Sequence, residues 1–145
     1  MQYRRQSKDT KLTNLDANHA AATSGLAIRE KVMGKEHVQR SLEEASDFSR
    51  AIQELVTDFA WGRIWTRTGL DLRTRSMLNL AMLTALNRNH ELAGHVRGAL
   101  NNGVTEKEIQ EVLIQAMVYC GAPAALESFR VAEGAIILYN AENNS

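Results

Sequence analysis

From Ser24 onward the apolar residues of this chain recur every three or four positions, and no stretch alternates as a half-buried strand does. That periodicity restricts the chain to helices. "SGLAIREKVMG" reads as a helix stopped by Gly34, and "EHVQRSLEEA" as a short second one. Ser46 or Asp47 can cap a third, in which Phe48, Ile52, Leu55, Val56 and Phe59 form one stripe leading into "WGRIW". Asp71 caps the next helix. Its body, Met77–Leu86, is apolar almost all round and reads as a central buried helix. A further helix runs through "NHELAGHVRGALNNG" and closes at Gly103. Thr105 and Glu108 make a capping box, after which Ile109, Val112, Leu113, Ala116 and Met117 follow at core spacing. "CGAP" breaks that helix. Pro123 suits the start of the last one, which carries Leu126, Phe129, Ala132 and Ile136 inward. The expected fold class is all-α, about six or seven helices joined by short turns.

The chain has 145 residues, enough for one domain with a single core. Residues 1–23 are polar and aperiodic and read as an N-terminal arm, with the helical domain at 24–140. Formal net charge is zero, so nothing in the balance recruits nucleic acid or an acidic membrane surface. No apolar run approaches a membrane span, and no signal segment opens the chain, so the expectation is a soluble, cytoplasmic protein. The single cysteine, Cys120, excludes an internal disulfide and a Cys-x-x-Cys motif. It reads as a small buried hydrophobe.

Two histidines and a glutamate in "NHELAGH" invite a zinc reading. A zinc-protease helix needs the histidines four apart; His90 and His95 are five apart and point about 140° away from each other. No metal is expected. Glu91 and His95 are four apart and share a face, a pair suited to moving protons, although spacing alone more often marks an ordinary surface contact. Leu92, Val96 and Ala99 are the core stripe of this helix. Gly94 and Gly98 leave a strip without side chains, each at a cost of about 1 kcal/mol relative to alanine. Such a strip implies close approach of a second helix, another subunit or a ligand.

The run from Asn89 to Ala132, with "IQELVTDFAWGRIWTRTGLDLRTRSMLNLAMLTALNR" upstream and "SGLAIREKVMGKEHV" before that, resembles the carboxymuconolactone decarboxylase family. The resemblance spans about residues 24 to 137 in one register. It implies the helical fold of the alkylhydroperoxidase-D superfamily and a ring-shaped homo-oligomer, with six copies the expected number. Within the family the closest likeness is to the 4-carboxymuconolactone decarboxylase branch of aromatic catabolism, the protocatechuate or β-ketoadipate route. The superfamily's redox branch uses two cysteines, which fall here at Arg88 and Glu91, and a histidine, which falls at His95. With both cysteines replaced, thiol peroxidase chemistry lacks its nucleophile. Arg63 stands where the family usually has an acid, and Ala60 where it has a cysteine.

The activity implied is cofactor-free decarboxylation of γ-carboxymuconolactone to the β-ketoadipate enol-lactone. Electrons from the lost carboxylate flow through the ring double bond into the lactone carbonyl, so the substrate is its own electron sink. The protein must hold two carboxylates, stabilise an oxyanion and return a proton to carbon. His95 and Glu91 are the catalytic candidates. Arg73, Arg75 and Arg88 are candidate carboxylate clamps, because a guanidinium fork binds both oxygens. Arg97 points elsewhere on the helix and suits a salt bridge or a neighbouring subunit. Trp61 and Trp65 can wall a small apolar pocket or simply pack in the core. A non-catalytic helical paralogue and a thiol-dependent hydroperoxide reductase are the alternative readings.

Overall fold

The computed structural model describes residues 20 and 23–144, so the expected arm at 1–23 falls almost wholly outside the described residues. Among the described residues there are only helices, turns and bends. The all-α expectation holds, with seven α-helices and one π-helical segment. No helix among them is long and apolar enough to cross a membrane. The chain divides into two compact units. Of the described residues, one unit holds those up to Lys31 together with Lys35–Arg67, and the other holds Val32–Gly34 and those from Thr68 on.

In the first unit, α1 (residues 23–33) ends at Gly34, whose φ of +92° is the left-handed stop the sequence suggests. α2 (Lys35–Glu43) buries Val38. α3 (Asp47–Leu55) is capped by Ser46, whose side chain accepts from Ser49 N. α3 runs directly into a π-helical segment, Val56–Trp65. Gly25 on α1 sits against that segment. A Cβ there would collide with Thr57 O and lie 2.7 Å from Gly62 N, so only glycine permits this approach. The apolar stripe of α3 forms as expected but faces outward. Phe48 is 96% exposed, and Ile52, Leu55 and Phe59 are each more than half exposed.

The second unit contains α4 (Leu72–Ala85), α5 (Asn89–Asn101), α6 (Glu106–Cys120) and α7 (Ala122–Asn143). Leu80, Leu92, Val96, Ala99, Val104, Ile109, Leu113 and Ala132 form its core. Asp71 caps α4 by accepting from Thr74 N. Thr105 and Glu108 form the expected reciprocal capping box on α6.

Four expectations need correction. α4 is buried on one face only. Ser76, Leu80 and Thr84 point inward, while Leu78, Met82 and Leu86, about 200° round the helix, are exposed. Met117 on α6 and Leu126 on α7 are likewise exposed, the inward positions of α7 being Ala125, Ser128 and Ala132. Cys120 is half-buried at the end of α6, its thiol donating to Ala116 O at 2.9 Å.

Candidate functional site

The glycine strip of α5 receives the end of α1. A Cβ on Gly98 would stand 3.0 Å from Val32 Cγ1 and 3.3 Å from Val32 O, and one on Gly94 would stand 3.2 Å from Met33 Cε. Asn101 Nδ2 donates to Val32 O at 2.8 Å and secures the same contact. The close approach is therefore helix packing within the chain. It sets the height of α5 and, with it, of the polar stripe beside the core.

His95 lies on that stripe, half-buried. Its hydrogen-bonding neighbour is Asn79 of α4, with Asn79 Nδ2 a long 3.5 Å from His95 Nδ1. With the amide nitrogen as donor, Nδ1 accepts and the ring proton sits on Nε2. Burial pushes the imidazole below its ordinary pKa, while the negative charge of Glu91 pulls it up. Burial is the larger influence, so the ring rests neutral at pH 7. Glu91 itself is exposed and acts on His95 through charge across one helical turn.

The predicted arginines separate. Arg73 is committed within the unit. Its Nη2 contacts both oxygens of Glu108 at 2.6 Å, and its Nε donates to Gly103 O at 3.2 Å. Glu108 also accepts from Thr105 N, and these bonds, Arg73 first, hold its carboxyl down at about 2. Arg75 is half-buried on α4, one turn before Asn79 and so on the His95 side of the helix. Arg88 is exposed at the start of α5. Arg97 ties α5 to α7 through Glu142 at 2.7 Å. His90 is exposed on α5.

Trp61 and Trp65 belong to the first unit, on the π-helical segment. Both are buried, with ring centroids 4.7 Å apart and planes 23° from parallel. Two polar residues escaped the sequence reading. Asn79 was detectable as the one amide inside the apolar run "MLNLAMLTAL". Arg29 is 9% exposed and hydrogen-bonded to Thr57 and Gln53, and only its one-turn spacing from Gly25 hints that it faces inward.

A helical chain with one half-buried histidine, an amide on its ring nitrogen and a carboxylate one turn away fits a small acid–base site on a helical scaffold. A model of the carboxymuconolactone decarboxylase family matches residues 50–134, more than half of the chain. The chain is 42% identical over 124 residues to the nitrosuccinic acid decarboxylase of Metarhizium robertsii, covering 86% of this chain and 87% of that protein. It is 43% identical over 109 residues to the 4-carboxymuconolactone decarboxylase of Acinetobacter baylyi, covering 75% of this chain and 81% of that one. The chain belongs to the carboxymuconolactone decarboxylase family.

Proposed function

We propose that the chain is a carboxy-lyase that removes carbon dioxide from a small di-acid whose own structure accepts the released electrons. The observation that carries this is the identity of 42% and 43%, over most of both chains, to two relatives named as decarboxylases. Their named substrates share a design. In 4-carboxymuconolactone the electrons enter the lactone carbonyl through the ring double bond. In nitrosuccinic acid, loss of the carboxylate on the nitro-bearing carbon sends them into the nitro group as a nitronate. Either way an oxyanion develops away from the breaking bond and a proton must later reach carbon.

The resting state of His95 suits the first need. A neutral ring with its proton on Nε2 is a hydrogen-bond donor for a developing oxyanion, and its partly buried setting strengthens that bond. Glu91, exposed one turn away, can relay a proton from solvent. Arg75, on the Asn79 side of α4, is the arginine best sited to meet a carboxylate there. Arg73 already has its charge matched by Glu108.

4-Carboxymuconolactone is our first choice of substrate. Nitrosuccinic acid is the second, favoured by the longer stretch over which that relative aligns. The test is direct. Purified protein is given each compound freshly made, and carbon dioxide is followed. Release from one of them above the buffer rate supports the reading, and folded protein that releases none from either sinks it. We also propose that further copies of the chain cover the exposed stripe of Phe48, Ile52, Leu55 and Phe59, six being the number expected. Light scattering that returns a monomer at micromolar concentration removes that assembly.

A further inference from the structure

Among the described residues of the first unit, one buried cation has no carboxylate against it. Arg29 on α1 donates from Nη1 to Thr57 Oγ1 and from Nη2 to Gln53 Oε1, both at 2.8 Å. Thr57 passes its own proton to Gln53 O, also at 2.8 Å, which leaves its oxygen to accept from the guanidinium. The fork is thereby fixed in orientation by two neutral acceptors. Among the described residues no ion pair includes Arg29, and burial alone acts on its charge, pushing its pKa below the ordinary value. Arg73 and Arg97, both far more exposed, each hold a glutamate.

Taking a guanidinium out of water is costly unless an opposite charge and further hydrogen bonds offset it. Thr57 and Gln53 engage two of its five N–H donors and supply no charge. The cation is not alone in holding α1 to the π-helical segment, because Gly25 also brings the two backbones together one turn earlier. A buried, oriented fork that no charge among the described residues offsets is the arrangement that an incoming anion completes.

We propose that Arg29, held by Thr57 and Gln53, is a binding site for a small carboxylate. A single fork carries one positive charge and presents its N–H groups in the plane that a carboxylate matches. A phosphate monoester would bring about 1.5 to 2 negative charges to that one cation. The choice of carboxylate also rests on the reading of the chain as an enzyme of small di-acids.

Trp61 and Trp65 are the only two tryptophans, and Trp61 follows Thr57 by four residues, so intrinsic fluorescence reports on this unit. The wild-type chain is titrated with succinate, and with dimethyl succinate as the uncharged counterpart. We expect a saturable change with succinate and none with the diester. Arg29→Met should weaken succinate binding at least tenfold, with circular dichroism checking the fold. If that variant does not fold, Arg29→Lys carries the test, since it keeps the charge, loses the fork and should still bind about tenfold more weakly. The absence of a saturable succinate response in the wild type overturns the proposal. So does unchanged affinity in a folded Arg29 variant. Succinate binding without carbon dioxide release from either substrate would leave this site standing and remove the decarboxylase reading instead.

Discussion

α5 and the α3–π stretch carry the same kind of apolar stripe and put it to opposite use. On α5, Leu92, Val96 and Ala99 recur at helical spacing and all are fully buried. On α3, Phe48, Ile52 and Leu55 recur just as regularly and all are exposed. Periodicity identifies a face that sequence keeps apolar. It does not say what covers that face, because the same stripe serves a core within one chain or a contact with another. The glycines separate the two cases. Gly94 and Gly98 mark the face of α5 that its own chain approaches, at Gly98 down to the backbone oxygen of Val32, whereas the outward stripe of α3 carries no glycine, and Gly62, further along the π-helical segment, lies against Gly25 instead.

The sharpest way to break this contrast is through the histidine that α5 presents. His95→Ala should lower turnover by about two to four orders of magnitude, the usual worth of a group acting on proton or oxyanion. The circular dichroism spectrum should not change, since His95 lies beside the core stripe rather than in it. On the proposal that the imidazole works in its neutral form, the wild-type rate should fall as pH drops below the ordinary histidine value and through the lowered one, and His95→Ala should lose that acid limb. The same depression makes the folded state bind its proton later than the unfolded chain does. Stability is therefore lost, not gained, as pH falls through that window. A variant that turns over normally would move attention from α5 to the WGRIW segment.

The packing half of the contrast is tested by adding single carbons. Gly98→Ala should destabilise by up to about 2 kcal/mol. Crowding against Val32, including its backbone oxygen, costs about 1–3 kcal/mol and outweighs roughly 1 kcal/mol of improved helix propensity. Gly94→Ala should stabilise slightly, because its one neighbour is the mobile end of Met33. Phe48→Ala, measured on the dissociated chain, should stay within about 0.5 kcal/mol. Chemical denaturation of the three variants checks all of this, and equal losses for Gly98→Ala and Phe48→Ala would erase the distinction.

A smaller effect belongs to Glu108, which joins the cap of α6 to Arg73. Its carboxyl is held at about 2, far below an ordinary glutamate, so its contribution is complete above about pH 4.5 and is lost as pH falls toward 2. Glu108→Gln should flatten the pH dependence of thermal stability inside that window and leave the region above it parallel to wild type. Smallest of all is Cys120→Ala, expected to leave turnover within a few fold, since the thiol is spent on Ala116 O. A collapse in rate with the fold intact would return a role to sulfur.

Much of this was legible in the sequence for local reasons. Helix ends depend on near neighbours, so Gly34, Ser46, Asp71, Gly103 and the Thr105–Glu108 box could be read directly. The π-helical register of Val56–Trp65 could not, because apolar spacing there differs little from that of the α-helix before it. The outward turn of Leu78, Met82 and Phe48 was also invisible, since hydrophobicity does not name its partner. At the site, the Glu91–His95 spacing was visible, but the amide on the ring comes from another helix. Asn79 meets His95 across a sequence separation of 16, beyond the reach of any local pattern. Arg73 looked available for a substrate for the same reason, as its glutamate lies 35 residues away.

The glycine strip has a kinetic consequence. Two interior glycines burden α5 by about 2 kcal/mol as an isolated helix, whereas α6 starts from a capping box that favours it before any partner arrives. α6 should therefore gain amide protection early in refolding. α5 should gain it only after α4 and the Val32–Gly34 segment have collected around it. The helix that carries the candidate histidine would then be among the last to assemble, and pulsed hydrogen exchange showing α5 protected ahead of α6 would reverse that order. A chain built this way does not present His95 in its working surroundings until the helices around it are in place.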